Sequence, residues 1–197
     1  MINLPEGYSV RPIRLDDAEA LLIPNLHMDR QFIGEPEITL EMLKRDLQPP
    51  GVNLETDSLV VWAPDGKTCA GYVLVNATPP YVRNFVSGLT HQEHAGKGIG
   101  TSLFSWGLAR ARKAVTLAEA GRRVVALGSC YANDEDALQL LRDQGLTLVR
   151  RFHEMRIEME RAPDVPTLPD GFTIRTMNLE NDVEDLYLAV YDAFLDH

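Results

Sequence analysis

Near the middle of the chain the sequence reads HQEHAGKGIGTSLFSWGLARAR, from His91 to Arg112. Glycines stand at alternate positions, Gly96, Gly98 and Gly100, with Lys97 between the first two, and a helix-forming stretch follows at once. Residues without a Cβ let a backbone turn tightly and approach a ligand, and the N–H groups of a helix start then face an anion. The pattern therefore predicts a phosphate site, with an exposed, ligand-free turn as the alternative. Two familiar phosphate loops do not fit. A P-loop needs GxxxxGK followed by Ser or Thr, and here the lysine precedes the later glycines. A dinucleotide fingerprint needs GxGxxG on the first strand of a βαβ unit, and here GxGxG comes late in the chain.

Other side chains near the loop could react or bind. His91 and Glu93 flank it as ligand contacts, as a base, or as solvated loop residues. Cys130 ends the apolar run RRVVALGSC, and Tyr131 follows it. A thiol there could carry an acyl group or simply fill a small buried space. Asn133 could donate to a ligand or cap the next helix. The five histidines are scattered without metal-ligand spacing, and no metal is expected.

The elements that must hold these groups follow from patterning. GYSVRPIRL reads as a strand. Asp16 and Asp17 open a helix over AEALLIPNL, which Pro24 should end or kink. Thr39 is a cap for LEMLKRDLQ, stopped by Pro49, Pro50 and Gly51. DSLVVWAPDGKTCAGYVLVNA is a hairpin turning at Pro64, Asp65 and Gly66. RNFVSGLT is a strand whose Gly88 marks a close backbone approach. The helix after the loop should run to about Ala120, with Gly121 as its stop. RRVVALGSC is a buried strand, DEDALQLLRDQ a helix ending at Gly145, and TLVRRFHEMRIEME one or two final strands. The whole is an α/β mixture around one sheet.

A length of 197 residues with 45% apolar and 24% charged side chains allows a packed core. The net charge of -10 argues against nucleic acid as a partner and leans toward cationic ones. Two cysteines make no disulfide framework, MINLPEGYSV is no secretory signal, and no apolar run approaches the ~20 residues of a membrane span. A cytoplasmic protein with no membrane partner is expected.

Beyond a proline-spaced linker at 161–167 the sequence starts again. LPEGYSVR at Leu4–Arg11 returns as LPDGFTIR at Leu168–Arg175, with identities at Leu, Pro, Gly and Arg and conservative exchanges elsewhere. The offset is the length of a domain, far beyond the ~20–50 residues of a solenoid repeat. Leu179, Val183, Leu186, Val190 and Phe194 then share one helical face. An apolar stripe of that size needs a cover: its own domain, a second copy of the chain in a homo-oligomer, or a second half.

Over residues 7–160 the chain resembles the GNAT acetyltransferases. Their loop commonly reads V-x-P-x-x-R-G-x-G-I-G, and here THQEHAGKGIG keeps Gly96, Gly98, Ile99 and Gly100, with Lys97 at a commonly basic place. Thr90 takes the Val place, Gln92 the Pro place and Ala95 the Arg place. Of the later block N-x-x-A-x-x-L-Y-x-x-x-G-F, the chain keeps Ala137, Leu140 and Gly145, with Asp134, Leu141 and Leu146 at the Asn, Tyr and Phe places. The resemblance implies a GNAT fold, with a mixed, mostly antiparallel sheet flanked by helices over 1–160. It implies acetyl-CoA bound by Leu89, Thr90, His91, Ala95, Gly96, Lys97, Gly98, Ile99, Gly100, Thr101, Ser102 and Asn133. A primary amine of a small molecule would attack the thioester directly. With Leu at 141, Tyr131 becomes the substitute acid for the leaving thiolate, or a rim aromatic; Tyr131, Asn25 and His27 are the acceptor-side residues. Residues 168–197 resemble the opening strand and helix of a second such domain, as in tandem GNAT proteins, which include mycothiol synthase. The alternative function is a non-catalytic acyl-CoA-binding lobe.

Overall fold

The computed structural model describes residues 2–195, and the chain divides between Arg150 and Arg151 into two compact units. The first unit holds strands β1 (Ser9–Arg11), β2 (Ser58–Trp62), β3 (Cys69–Asn76), β4 (Arg83–Thr90) and β5 (Val125–Leu127) in the order β1-β2-β3-β4-β5. All neighbours are antiparallel except β4 and β5, which run parallel. Helices α1 (Ala18–Phe32), α2 (Leu40–Asp46) and α3 (Leu54–Asp57) precede β2; α4 (Ile99–Lys113) and α5 (Glu135–Asp143) flank β5 in sequence.

The period of two along the strands divides the core into two layers. Val61, Val73, Val75 and Val86 pack with Ile99, Leu103, Leu108 and Ala111 of α4. Val60, Trp62 and Cys69 pack with Ala18 and Leu21 of α1 and with Leu43 and Leu47. Strands β3 and β4 come unusually close. A Cβ on Gly71 would lie 2.9 Å from the Leu89 carbonyl oxygen, and one on Gly88 would run into that of Tyr72. The close approach expected at Gly88 is thus present. Thr39 caps α2 by accepting the Met42 N–H (3.2 Å), and the hairpin turns where the Pro-Asp-Gly sequence requires.

Five expectations need correction, the first being RRVVALGSC, where only Val125–Leu127 form a strand and its side chains are half-buried or exposed instead of buried. Helix α1 runs through Pro24 to Phe32 instead of ending there. Its buried face binds it to the sheet, which outweighs the one hydrogen bond to the Ala20 carbonyl that the proline cannot make. Helix α4 stops at Lys113, passing into a 3-10 turn over Ala114–Leu117. TLVRRFHEMRIEME forms no strand among the described residues, and neither does LPDGFTIR. Alternation selects the face of a strand but supplies no ladder partner, and here Phe152, Met155, Ile157, Phe172 and Ile174 stay exposed.

The second unit does form a helix, α6 (Val183–Ala193), because a helix satisfies its own backbone. Its entry repeats that of α1. In the first unit Arg11 grips both carboxylate oxygens of Asp17 (2.7 Å each), donates to the Pro12 carbonyl, and Asp17 accepts the Arg14 N–H (2.7 Å). In the second unit Arg175 grips both oxygens of Asp182 (2.5 and 2.8 Å), donates to the Thr176 carbonyl, and Asp182 accepts the Asn178 N–H (2.6 Å). Both aspartates sit immediately before their helices.

Candidate functional site

The site begins where the sheet comes apart. Pairing of β4 with β5 covers only Arg83–Phe85 against Val125–Leu127, yet β4 continues to Thr90. From Val86 onward, among the described residues, no strand lies on that side, and Ser87 and Gly88 are exposed there. The splay opens at the end from which the glycine loop departs. Residues Gln92–His94 make one 3-10 turn, and the loop leads straight into α4.

Each glycine has its own reason. Gly96 and Gly98 are left-handed, at φ +72° and +77°, and nothing lies within 4 Å of where their Cβ atoms would be. Conformation, not space, excludes side chains there. Gly100 is helical, but a Cβ would sit 2.8 Å from Thr90 Oγ1, so the first turn of α4 packs against the end of β4. The Ser102 N–H bonds the Gly98 carbonyl, leaving the amides just ahead of it to face outward from an exposed loop. Lys97 is exposed beside them.

The remaining candidates fall in different places. Leu89 and Thr90 lie half-buried on the splayed part of β4, Ala95 and Thr101 are exposed, and Ile99 is core. Ser102 is committed elsewhere, donating to the Asn3 carbonyl at 2.6 Å. His91 is buried, only 4% exposed, and its Nδ1 accepts the Glu93 N–H (3.2 Å). Burial pushes its pKa below the ordinary imidazole value, and His27 adds to this. Asn133 is exposed, and the helix cap is Asp134, whose Oδ1 accepts the Ala137 N–H at 3.0 Å.

Tyr131 follows β5 and stacks on Phe32 at the end of α1, with ring centroids 5.1 Å apart. Helix α1 therefore reaches across to the β5 side of the splay. Asn25 is turned inward and exchanges hydrogen bonds with Tyr72, whose buried phenol is pushed up to about 12. His27 packs on His91 (5.1 Å). Burial raises the Cys130 pKa, with Asp134 adding to it, which disfavours the thiolate an acyl-cysteine would need. Leu141 turns toward Gly128, next to Phe104 of α4, so no hydroxyl stands at that point.

Two residues at the loop carried no sequence signal as site residues. Tyr8 Oη lies 2.8 Å from His94 Nδ1 and accepts from Lys97 Nζ (3.2 Å). Their separation of 86 residues puts such a contact beyond any local pattern. Phe32 was likewise hidden, since nothing in α1 announces its partner across the sheet. Among the described residues no cluster of His, Cys, Asp and Glu is placed to hold a metal ion, and no helix is long and apolar enough to cross a membrane.

No family model matches the chain, and no curated protein matches it significantly. Solved structures do. The chain is similar to a GCN5-related N-acetyltransferase from Sphaerobacter thermophilus, with 28% identity and a TM-score of 0.77 over 97% of this chain. It spans 59% of that protein's length. It also superposes on the GNAT domain of PAT from S. lividans (21% identity, TM-score 0.52, 74% of this chain and 84% of that one). The yncA protein of Salmonella typhimurium, solved with its cofactor acetyl-CoA, matches at 16% identity and TM-score 0.50, over 74% of this chain and 82% of that one. A five-stranded mixed sheet that splays at its one parallel pair, with a glycine loop and helix at the opening, is the GNAT acetyltransferase fold, and this chain has that fold.

Proposed function

We propose that the first unit is a GNAT-type N-acetyltransferase, moving an acetyl group from acetyl-CoA to a primary amine of a small molecule. The observation that carries this reading is the opening between β4 and β5 at the end where Gly96–Gly100 lead into α4. The residues fit the coenzyme. The empty space over Gly96 and Gly98 admits a pyrophosphate against backbone N–H groups, with Lys97 beside it. Within Leu89–His91, the unpaired edge of β4 offers the backbone groups of Thr90 to an extended pantetheine arm, since the His91 N–H is bonded to the Ala70 carbonyl. When bound, acetyl-CoA supplies a thioester open to attack by an amine.

The chain's own residues then position groups and hold protons. A β4 N–H would polarise the acyl carbonyl of the bound thioester. Tyr131 holds a proton on its phenol at the β5 side and is fixed there by the Phe32 ring. The net acidity of the chain favours an amine that arrives as a cation. Residues 168–197 are read as the entry of a second lobe of the same kind, supported by the repeated arginine–aspartate grip.

A second reading is a lobe that binds acyl-CoA without turnover. Leu141 and Ala95 favour it, because neither supplies a polar group. Calorimetric titration with CoA, followed by thiol release from acetyl-CoA over an amine panel, separates the two. Binding with release supports the enzyme; binding without release for every amine supports the silent lobe; no binding overturns both.

A further inference from the structure

Around the glycine loop a set of polar side chains is joined by hydrogen bonds. Lys97 Nζ is a donor without acceptor capacity, and it donates to the Glu93 carbonyl (3.2 Å) and to Tyr8 Oη (3.2 Å). A phenol has a single proton. Tyr8 Oη, which accepts from Lys97, lies 2.8 Å from His94 Nδ1, within reach of its proton. With the ring proton on Nε2, His94 Nδ1 would accept the phenol proton. The Tyr8 and His94 rings meet edge to face at 5.6 Å, which fixes the pair. Two of the three ammonium N–H groups are used in this way, leaving the third for an anion.

We propose that Tyr8 and His94 are positioning residues that hold Lys97 at the coenzyme loop, and that the hold lasts only while His94 Nδ1 is unprotonated. The inference rests on the reading of this loop as the coenzyme site. Protonated His94 would present an N–H to an oxygen that already accepts from Lys97, and would place a second cation beside the ammonium. The groups facing His94 are Tyr8, Lys97, the neighbouring His91 ring (5.5 Å) and the Asp65 carboxylate of the hairpin turn. His91 faces His27 of α1, Glu93 and His94. It has the same requirement, since its Nδ1 accepts the Glu93 N–H that shapes the turn before the loop. Burial keeps it neutral to lower pH than an ordinary imidazole.

The sign of the pH effect separates this from simple charge attraction. If His94 acted only as a nearby charge, acid would favour an anionic ligand. Released from its acceptor chain, Lys97 instead loses its place, and acid disfavours the ligand. CoA's own phosphates also titrate, so the comparison must be between variants with one ligand.

The test is calorimetric titration of the full chain with CoA at about pH 8 and about pH 5.5, which brackets the imidazole range. Wild type, Tyr8→Phe, His94→Ala and His94→Asn are compared. Tyr8→Phe should bind about two- to fivefold more weakly at the higher pH, the scale of an exposed charged contact. His94→Asn, whose Oδ1 can accept where Nδ1 does but cannot be protonated, should recover most of what His94→Ala loses. On acidification, wild type should lose more affinity than His94→Asn. Nitrogen NMR of the ligand-free chain should show the Nε2–H tautomer of His94. Unaltered binding by Tyr8→Phe, a larger acid loss in His94→Asn than in wild type, or an Nδ1–H tautomer overturns the proposal alone. A wild type that binds no CoA at either pH overturns the coenzyme site as well.

Discussion

At Gly98 a side chain would meet no neighbour, so substitution there tests conformation and charge rather than crowding. An aspartate would add a carboxylate at the start of α4, where it suits the helix but occupies the place of a phosphate. Gly98→Asp is expected to fold and to lose about 2–4 kcal/mol of CoA affinity through like-charge repulsion at short range. Melting curves alongside calorimetry check both halves, and wild-type affinity in this variant would remove the loop from the coenzyme site. Tyr131→Phe keeps the ring on Phe32 and removes only the hydroxyl. Turnover should fall about 100-fold or more, the usual scale for a lost proton donor, with KM for acetyl-CoA little changed. Steady-state kinetics decide it; a KM effect without a kcat effect would make Tyr131 a wall of the cleft. These two positions also mark what the sequence can disclose. Gly98 is legible because its constraint is local, two left-handed residues before a helix. Tyr131 is visible as a candidate, but its tie to Phe32 spans the sheet, as Tyr8 and His94 do at the loop, and no spacing encodes such pairs.

Among the elements, the entry to α1 is the most closely specified. Asp17 is buried, which by itself would raise its pKa, but the grip of Arg11 and the Arg14 N–H lower it below the usual carboxylate value. A depressed folded value means stability that is present above the unfolded pKa, near 4, and lost as pH falls through the folded value. Asp17→Asn should therefore cost about 1–3 kcal/mol near neutral pH, the range for charged hydrogen bonds left incomplete. The gap to wild type should shrink below about pH 4. Urea unfolding at several pH values tests this, and a gap that stays constant in acid would show that the charge plays no part. The hairpin, the Thr39 cap and the glycine approach were readable because each depends on neighbours in sequence or on a strict period of two. The final strands were misread because their alternating residues, Met155, Ile157 and Met159 against Arg156 and Glu158, define faces without defining a partner.

On the scale of the molecule, the two units differ in how they cover apolar surface. Every buried hydrophobic residue of the described chain lies in the first unit, whereas Val183, Leu186, Val190 and Phe194 of α6 are each about half exposed or more. The first unit is therefore expected to fold by itself. A chain ending at Arg161 is expected to fold, with a melting temperature close to that of the full chain, and to bind CoA equally. Its tendency to self-associate should be lower, because a contiguous apolar face is removed. Light scattering and thermal melts compare the two, and an unfolded short chain would show that residues beyond Arg161 complete the first core.

The arginine–aspartate grip at each helix entry spans six residues in one unit and seven in the other. Measured in time, that is a fast event. Loops of about ten residues close in roughly 10–100 ns, whereas β1 must search across some fifty residues for β2 and would join late. The grip can therefore form while the sheet is still unmade, and its presence beside α6, where no strand pairs among the described residues, is consistent with that independence. The start of α1 would then be set before its core exists, giving the collapsing sheet a helix already in register. Asp17→Asn should accordingly slow refolding more than it speeds unfolding, and a chevron in which only the unfolding arm moves would place the grip late instead.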